Sequence, residues 1–269
     1  MTLAPRAFVS AVVLLSLAAT PASAAIRRRR GPTHQGAGGA SLRKRLHINS
    51  LITQEGTVEI ETGANVLLSH DDSTGAFSLP TVVKWTPGWH TEYNVSFDGL
   101  AQLDNATHFS DRVTLGATHE FTGWNRLSLA AGPQLTMFTR GESGVRYGGV
   151  GLARVDLGVL DGGISASYSR ANHPSDDNNP TGLLDLGAGF GHKLSARFTI
   201  HANYLYEKAT GFSPQHSLYE GIEFQITPHF AVDTSVQQVG VGSAIVDHQL
   251  VVGLTMNMGR PGSWLARRH

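Results

Sequence analysis

Trp89-His90-Thr91-Glu92-Tyr93-Asn94-Val95-Ser96-Phe97-Asp98 separates into two sets, residue by residue. Trp89, Thr91, Tyr93, Val95 and Phe97 form the less polar one; His90, Glu92, Asn94, Ser96 and Asp98 form the polar one. Successive side chains of a β-strand point to opposite faces, so strict alternation puts a strand between an apolar and a polar phase. A helix would need apolar residues recurring three and four apart in turn, whereas this stretch repeats at every second residue.

The same period recurs outward from this segment. Val58, Ile60, Ala64, Val66 and Leu68 oppose Glu59, Glu61, Gly63 and Asn65. Phe198, Ile200, Ala202, Tyr204 and Tyr206 oppose Arg197, Thr199, His201, Asn203 and Glu207. Leu250, Val252, Leu254, Met256 and Met258 oppose Gln249, Gly253, Thr255 and Asn257. Twelve such segments start near residues 57, 76, 89, 109, 126, 145, 163, 183, 197, 217, 230 and 248. Two are imperfect: Val150 and Leu152 fall in the polar phase of 145–157, and Glu220 falls in the apolar phase of 217–226. At roughly 9–13 residues the segments exceed the ~5–6 of soluble strands and match the ~9–11 that cross a bilayer at a tilt.

The connections alternate as well. Longer polar stretches (70–75, 104–108, 139–144, 171–182, 208–215, 240–247) are interleaved with shorter ones, such as Pro87-Gly88 and Thr227-Pro228-His229. Outer-membrane barrels have long outer loops, short periplasmic turns and an even strand number. The aromatics Trp85, Trp89, Phe121, Trp124, Tyr147, Tyr168, Phe190 and Phe230 sit near segment ends, as interfacial girdles require. The fold class expected is all-β: a transmembrane antiparallel up-and-down β-barrel of about 12 strands. Alternation alone leaves a secreted soluble barrel or sandwich open, with the apolar set turned inward.

Composition fits. Charged residues are 16% and glycines 31 of 269, against ~25% and ~7% in an ordinary soluble domain. The absence of Cys excludes a disulfide scaffold and a zinc–cysteine centre. Net charge is zero, but eleven of the 21 bases lie outside 55–259, where all 21 acids face the other ten. Residues 1–24 read as a secretory signal peptide: Arg6, an apolar run over 7–19, then Ala22-Ser23-Ala24. Residues 25–54 read as a basic flexible periplasmic linker, with Arg27 to Arg30, Arg43, Lys44, Arg45 and no acid. It is either a solvated spacer or a binder of anionic surfaces; an exported chain rarely meets nucleic acid, so none is expected. The barrel covers 55–259, a basic tail follows over 260–269, and an even strand count leaves both termini periplasmic.

Residues 55–259 resemble bacterial outer-membrane β-barrels. The opening Ile52-Thr53-Gln54-Glu55-Gly56-Thr57-Val58-Glu59-Ile60-Glu61-Thr62-Gly63 resembles the first strand of a transporter-like family, putative outer-membrane proteins of the MetA pathway of phenol degradation. That resemblance implies a channel or transporter for small solutes, small aromatic compounds among them. The last strand departs from the aromatic ending of many such barrels. It closes near Met258-Gly259, and eight residues from Gly262 to His269 include Trp264. Either the assembly signal is internal or the assembly route differs.

The polar phase supplies the residues expected to line a lumen: Glu59, Lys84, Glu92, Asp98, Arg112 and Glu120, with Arg126, Arg146, Asp156, Asp185, Arg197 and Asp233. Paired charges in a narrow lumen select ions, and the acidic balance implies mild cation preference. There is no G-x-S-x-G, H-E-x-x-H, P-loop or EF-hand loop. Gly148-Gly149-Val150-Gly151 lies within a strand with no helix after it, so it is not a phosphate cradle. His108, Ser110 and Asp111 are close in sequence but carry no family motif. No catalytic residue and no cofactor are therefore expected. His70, His108, His173, His216 and His248 fall in the outer loops beside Asp71, Asp72, Asp104, Asp176, Asp177 and Asp247. Such a rim holds a transition metal only if imidazoles and carboxylates converge; otherwise it is solvated or bridged to lipopolysaccharide. The partners expected are outer-membrane lipid and lipopolysaccharide, the barrel-assembly machinery and a small-molecule solute. The leading function is a passive outer-membrane channel. The alternatives are a structural or adhesion barrel with a closed lumen, and an outer-membrane lipid-modifying enzyme.

Overall fold

In the computed structural model the described residues are 51–68, 77–103, 106–109, 112–124, 126–138, 144–174, 180–241 and 244–259. At some strand ends only the backbone is described. The signal-peptide segment, nearly all of the linker, the basic tail, His70 and the 175–179 stretch lie outside them. Alternation becomes strand pairing throughout: β1 (Thr57–Leu68), β2 (Phe77–Gly88), β3 (Thr91–Leu103), β4 (Ala106–Phe109), β5 (Arg112–Trp124), β6 (Leu127–Phe138) and β7 (Val145–Asp156), then β8 (Leu160–Ala171), β9 (Gly182–Lys193), β10 (Phe198–Ala209), β11 (Gln215–Thr227), β12 (Phe230–Val241) and β13 (Ala244–Asn257). Every pairing is antiparallel. The first strand meets the last, from Glu59 opposite Asn257 to Leu68 opposite His248, and this seam closes the ring.

Twelve strands make the ring, and β4 is an appendage paired only with the end of β3. The sequence segment that starts near 109 corresponds to β5, which is described from Arg112. A strand of 12 residues, at ~3.3 Å each and a tilt near 40°, rises about 30 Å, the thickness of a bilayer's hydrocarbon core. No helix among the described residues is long and apolar enough to cross a membrane.

Which face points out is decided by burial. Ile164, Tyr168, Phe121, Phe190, Val236 and Ile222 are exposed, while Lys84, Glu92, Thr118, Gln249 and Ser235 are buried. A water-soluble barrel would have the reverse distribution. The outer surface is therefore one solvated by hydrocarbon, and the polar phase faces a lumen. Aromatics form belts at both heights, with Trp85, Trp89, Tyr93 and Phe121 at the short-turn end and Tyr147, Tyr168 and Tyr204 at the other.

Some connections differ from the sequence reading. The β2–β3 turn is Trp89-His90, not Pro87-Gly88, because Gly88 still pairs with Thr91. Both turn residues have positive φ, 58° and 52°, the two-residue turn whose twist suits a hairpin but which favours Asn-Gly. His90 N–H donates to Glu55 Oε1 at 2.9 Å, and Glu120 N–H donates to the His90 carbonyl at 2.8 Å, so the strained turn is held from two sides. The expected loop 240–247 also shrinks, since β12 and β13 run to Val241 and Ala244. Val239, Gly240 and Ile245 continue the ladder across a bulge.

Candidate functional site

The candidate site is the inner wall, built by the polar phase of each strand. Near the seam, register places Lys84 of β2 opposite Glu59 of β1. The Lys84 ammonium lies 3.3 Å from Glu59 Oε1 and 2.5 Å from Glu61 Oε1, and its side chain is almost wholly buried. One cation thus holds two buried carboxylates, each of which would be costly to bury alone. A second buried pair lies between β7 and β8, where Arg154 meets Asp161 at 3.4 Å and Asp156 at 3.8 Å.

Toward the longer connections, the wall carries an arc of ionisable groups. Arg112 of β5 and Arg146 of β7 supply the guanidinium groups; Asp185 of β9 and Glu207 of β10, directly opposite one another in register, supply the carboxyl groups. These four groups act on one another electrostatically. Arg146 is clamped: it donates to the Pro180 carbonyl at 2.6 Å and reaches Ser169 through Nε and Nη2. Ser167 donates to Asp185 Oδ2 at 2.8 Å. At this level the next strands around the ring present uncharged groups instead, with Gln237 donating to Ser217 at 3.2 Å and Gln249 fully buried. A solute crossing this level meets guanidinium, carboxyl and amide surfaces in turn around the ring.

The last linker residues also belong to the wall. Leu51, Ile52 and Thr53 are buried, Leu51 to 1% exposure. Leu51 packs with Ala130 of β6 and Leu152 of β7, and half-buried Val150 lies against them. Thr53 N–H donates to Glu92 Oε2 at 2.9 Å, and Thr53 Oγ1 lies 2.6 Å from Thr86 Oγ1. The chain therefore runs along the inside of the wall from the β6–β7 side to the base of β1. Val150 and Leu152 break the alternation because they are the socket for this strap. Sequence reading assigned 51–54 to the flexible linker; the signal that could have found it was the apolar pair Leu51-Ile52 matched by those two misphased residues.

Of the other residues singled out in the sequence, Glu59, Lys84, Glu92, Glu120, Arg146 and Asp233 are buried on the inner face. Arg112, Asp156 and Asp185 lie on it half-buried, and the side chain of Asp98 lies outside the described residues. Arg126 and Arg197 are a correction: both are exposed in the short turns, before Leu127 and Phe198 begin their strands. Glu61, Arg154, Asp161 and Glu207 join the inner wall and were missed as candidates, though the same alternation places them there. Among the described residues the histidine rim does not converge. His216 hydrogen-bonds Tyr204 and packs edge-on to Tyr206, while His173 and His248 are exposed. His108's side chain lies outside the described residues, and no three metal-ligating side chains group together among those described.

With this geometry in hand, the barrel can be set against known structures. The KdgM porin matches with a TM-score of 0.53 at 11% identity, over 74% of this chain and 98% of that one. The NanC porin matches with a TM-score of 0.55 at 10% identity, over 74% and 98%. An outer membrane channel from Pseudomonas putida F1 matches with a TM-score of 0.58 at 8% identity, over 77% and 97%. The chain has the fold of these outer-membrane barrels. At such identities the likeness is one of fold. No family model and no curated relative matches the sequence.

Proposed function

We propose that the protein is an outer-membrane channel that passes small solutes without chemistry. The observation that carries this is the inverted wall: apolar residues out, and charged, amide and hydroxyl residues in, around a twelve-stranded ring. Twelve strands enclose more than the side-chain-filled eight-stranded barrels and less than the open porins. The described inner wall carries more carboxylates than bases, which favours cations. Small aromatic solutes are the finer version of the reading, supported by the resemblance of residues 52–63 to the MetA-pathway family. Outer-membrane lipid, lipopolysaccharide and the assembly machinery are the partners such a barrel requires.

One observation favours a second reading, a structural barrel with a closed lumen. The strap at Leu51–Thr53 takes up part of the lumen. Conductance separates the two. Purified protein in planar bilayers under a salt gradient is expected to give discrete steps and a reversal potential on the cation side. Anion selectivity would count against the acidic wall as the filter, and absence of steps would favour the closed barrel.

A further inference from the structure

Glu220 is the strand carboxylate, among the described residues, that shares a face with the apolar series. It is the sixth residue of β11, near mid-strand, between the exposed Leu218 and Ile222. Its register partners are Ala202 of β10 and Val236 of β12, and Val236 is itself exposed. No hydrogen bond or ion pair from a described residue reaches its carboxylate. An ionisable side chain facing lipid is expensive and marks a contact or a function.

Glu220 does not stand alone. Because it lies opposite Val236, its diagonal neighbours on β12 are Thr234 and Gln238. Gln238 in turn lies opposite His248 of β13, which is exposed. Carboxylate, hydroxyl, amide and imidazole thus share one outward patch on β11–β13, ringed by the apolar Leu218, Ile222, Val236 and Val252. Two other outer-face pairs are satisfied within the chain: Thr62 meets Thr81 at 3.1 Å, and Thr91 meets His119 at 3.0 Å.

We propose that this patch is the contact face for a second copy of the chain. The patch holds an acceptor, Glu220, together with donors, Thr234 and the Gln238 amide. A two-fold interface brings the same surface against itself and requires such self-complementarity. Pairing about an axis along the membrane normal satisfies each Glu220 from the partner's donors and removes it from lipid. Ala202 beside it lets the two walls approach closely. The inference is independent of whether the lumen conducts.

The chain has no cysteine, so single-cysteine variants give an unambiguous test. Thr234→Cys in native membranes is expected to form a disulfide-linked dimer on mild oxidation. Leu115→Cys, exposed on β5 across the ring, is expected to stay monomeric. Purified wild type in lipid nanodiscs should have the mass of two chains. Glu220→Leu should reduce that to one while the barrel keeps its heat-modifiable gel mobility, and Glu220→Gln should retain the pair. A monomeric wild type, equal cross-linking at both cysteines, or a dimer untouched by Glu220→Leu would overturn the proposal.

Discussion

Strands β7 and β11 both break the alternation, and they break it in opposite directions. In β7 the exception is inside: Val150 and Leu152 put apolar surface on a polar wall. In β11 it is outside: Glu220 puts a carboxylate on an apolar wall. The first is resolved within the chain, since Leu51 packs against Leu152 and Ala130 and keeps water off them. The second has no such answer among the described residues. An error of pattern closed by the chain's own contact is a structural joint; one left open on the surface asks for something from outside the chain.

The comparison can be broken most severely at the wall that neither exception touches. Lys84→Ala leaves Glu59 and Glu61 buried without their shared cation. The expected cost is about 3–5 kcal/mol, read as a lower urea midpoint for the folded, heat-modifiable form. Lys84→Ala combined with Glu59→Gln and Glu61→Gln should recover most of it; if the triple variant is no better than the single, buried charge is not the cause.

Next in size is the joint in β7. Leu51→Ala removes most of the side chain that fills the β6–β7 socket, at about 2–3 kcal/mol for a buried leucine. The loss falls on the strap and not on the ring. Hydrogen exchange at the Thr53 amide, which donates to Glu92, should therefore rise about a hundredfold, at 1.4 kcal/mol per decade. Amides in the middle of β6 and β7 should stay protected. Equal loosening of strap and strands would mean that the strap is part of the barrel's core stability.

The smallest effects lie on the outer face. Glu220→Leu removes a polar group from lipid and should stabilise the isolated barrel by about 1 kcal/mol, since Glu costs less there than the ~2–4 of Lys or Arg. A stabilising substitution at Glu220 beside a destabilising one at Leu51 is the outcome that separates the two exceptions. Trp89→Asn with His90→Gly should give a similar gain, because Asn-Gly adopts the positive φ of both turn residues with less strain. Unfolding in detergent micelles checks both; destabilisation by the turn variant would show that the Trp89 ring is worth more at the interface than the strain it carries.

Much of this architecture was legible in the residues. Twelve alternating segments became the twelve strands of the ring, and the two misphased strands were visible before any contact was known. Less was legible at the ends of strands. Arg126 and Arg197 sit one residue before their strands begin, and a one-residue shift at a turn moves a side chain from wall to solvent. The Trp89-His90 turn was misplaced because Pro87-Gly88 is the stronger local turn signal, whereas the ladder continues through Gly88.

The sequence by itself determined the period, the number of crossings and which residues share a face, because a strand's side-chain alternation is local and needs no partner. It did not determine which face is inside. Period two is symmetric between a soluble barrel and a membrane barrel, and only closure of the ring assigns one phase to the lumen. Nor did it determine who meets whom around the ring. Lys84 lies between Glu59 and Glu61, Leu51 sits on Leu152, and Glu220 has Thr234 and Gln238 for neighbours because of register between strands distant in the chain. Register is set by the whole sheet at once, so those relations exist only in the tertiary structure.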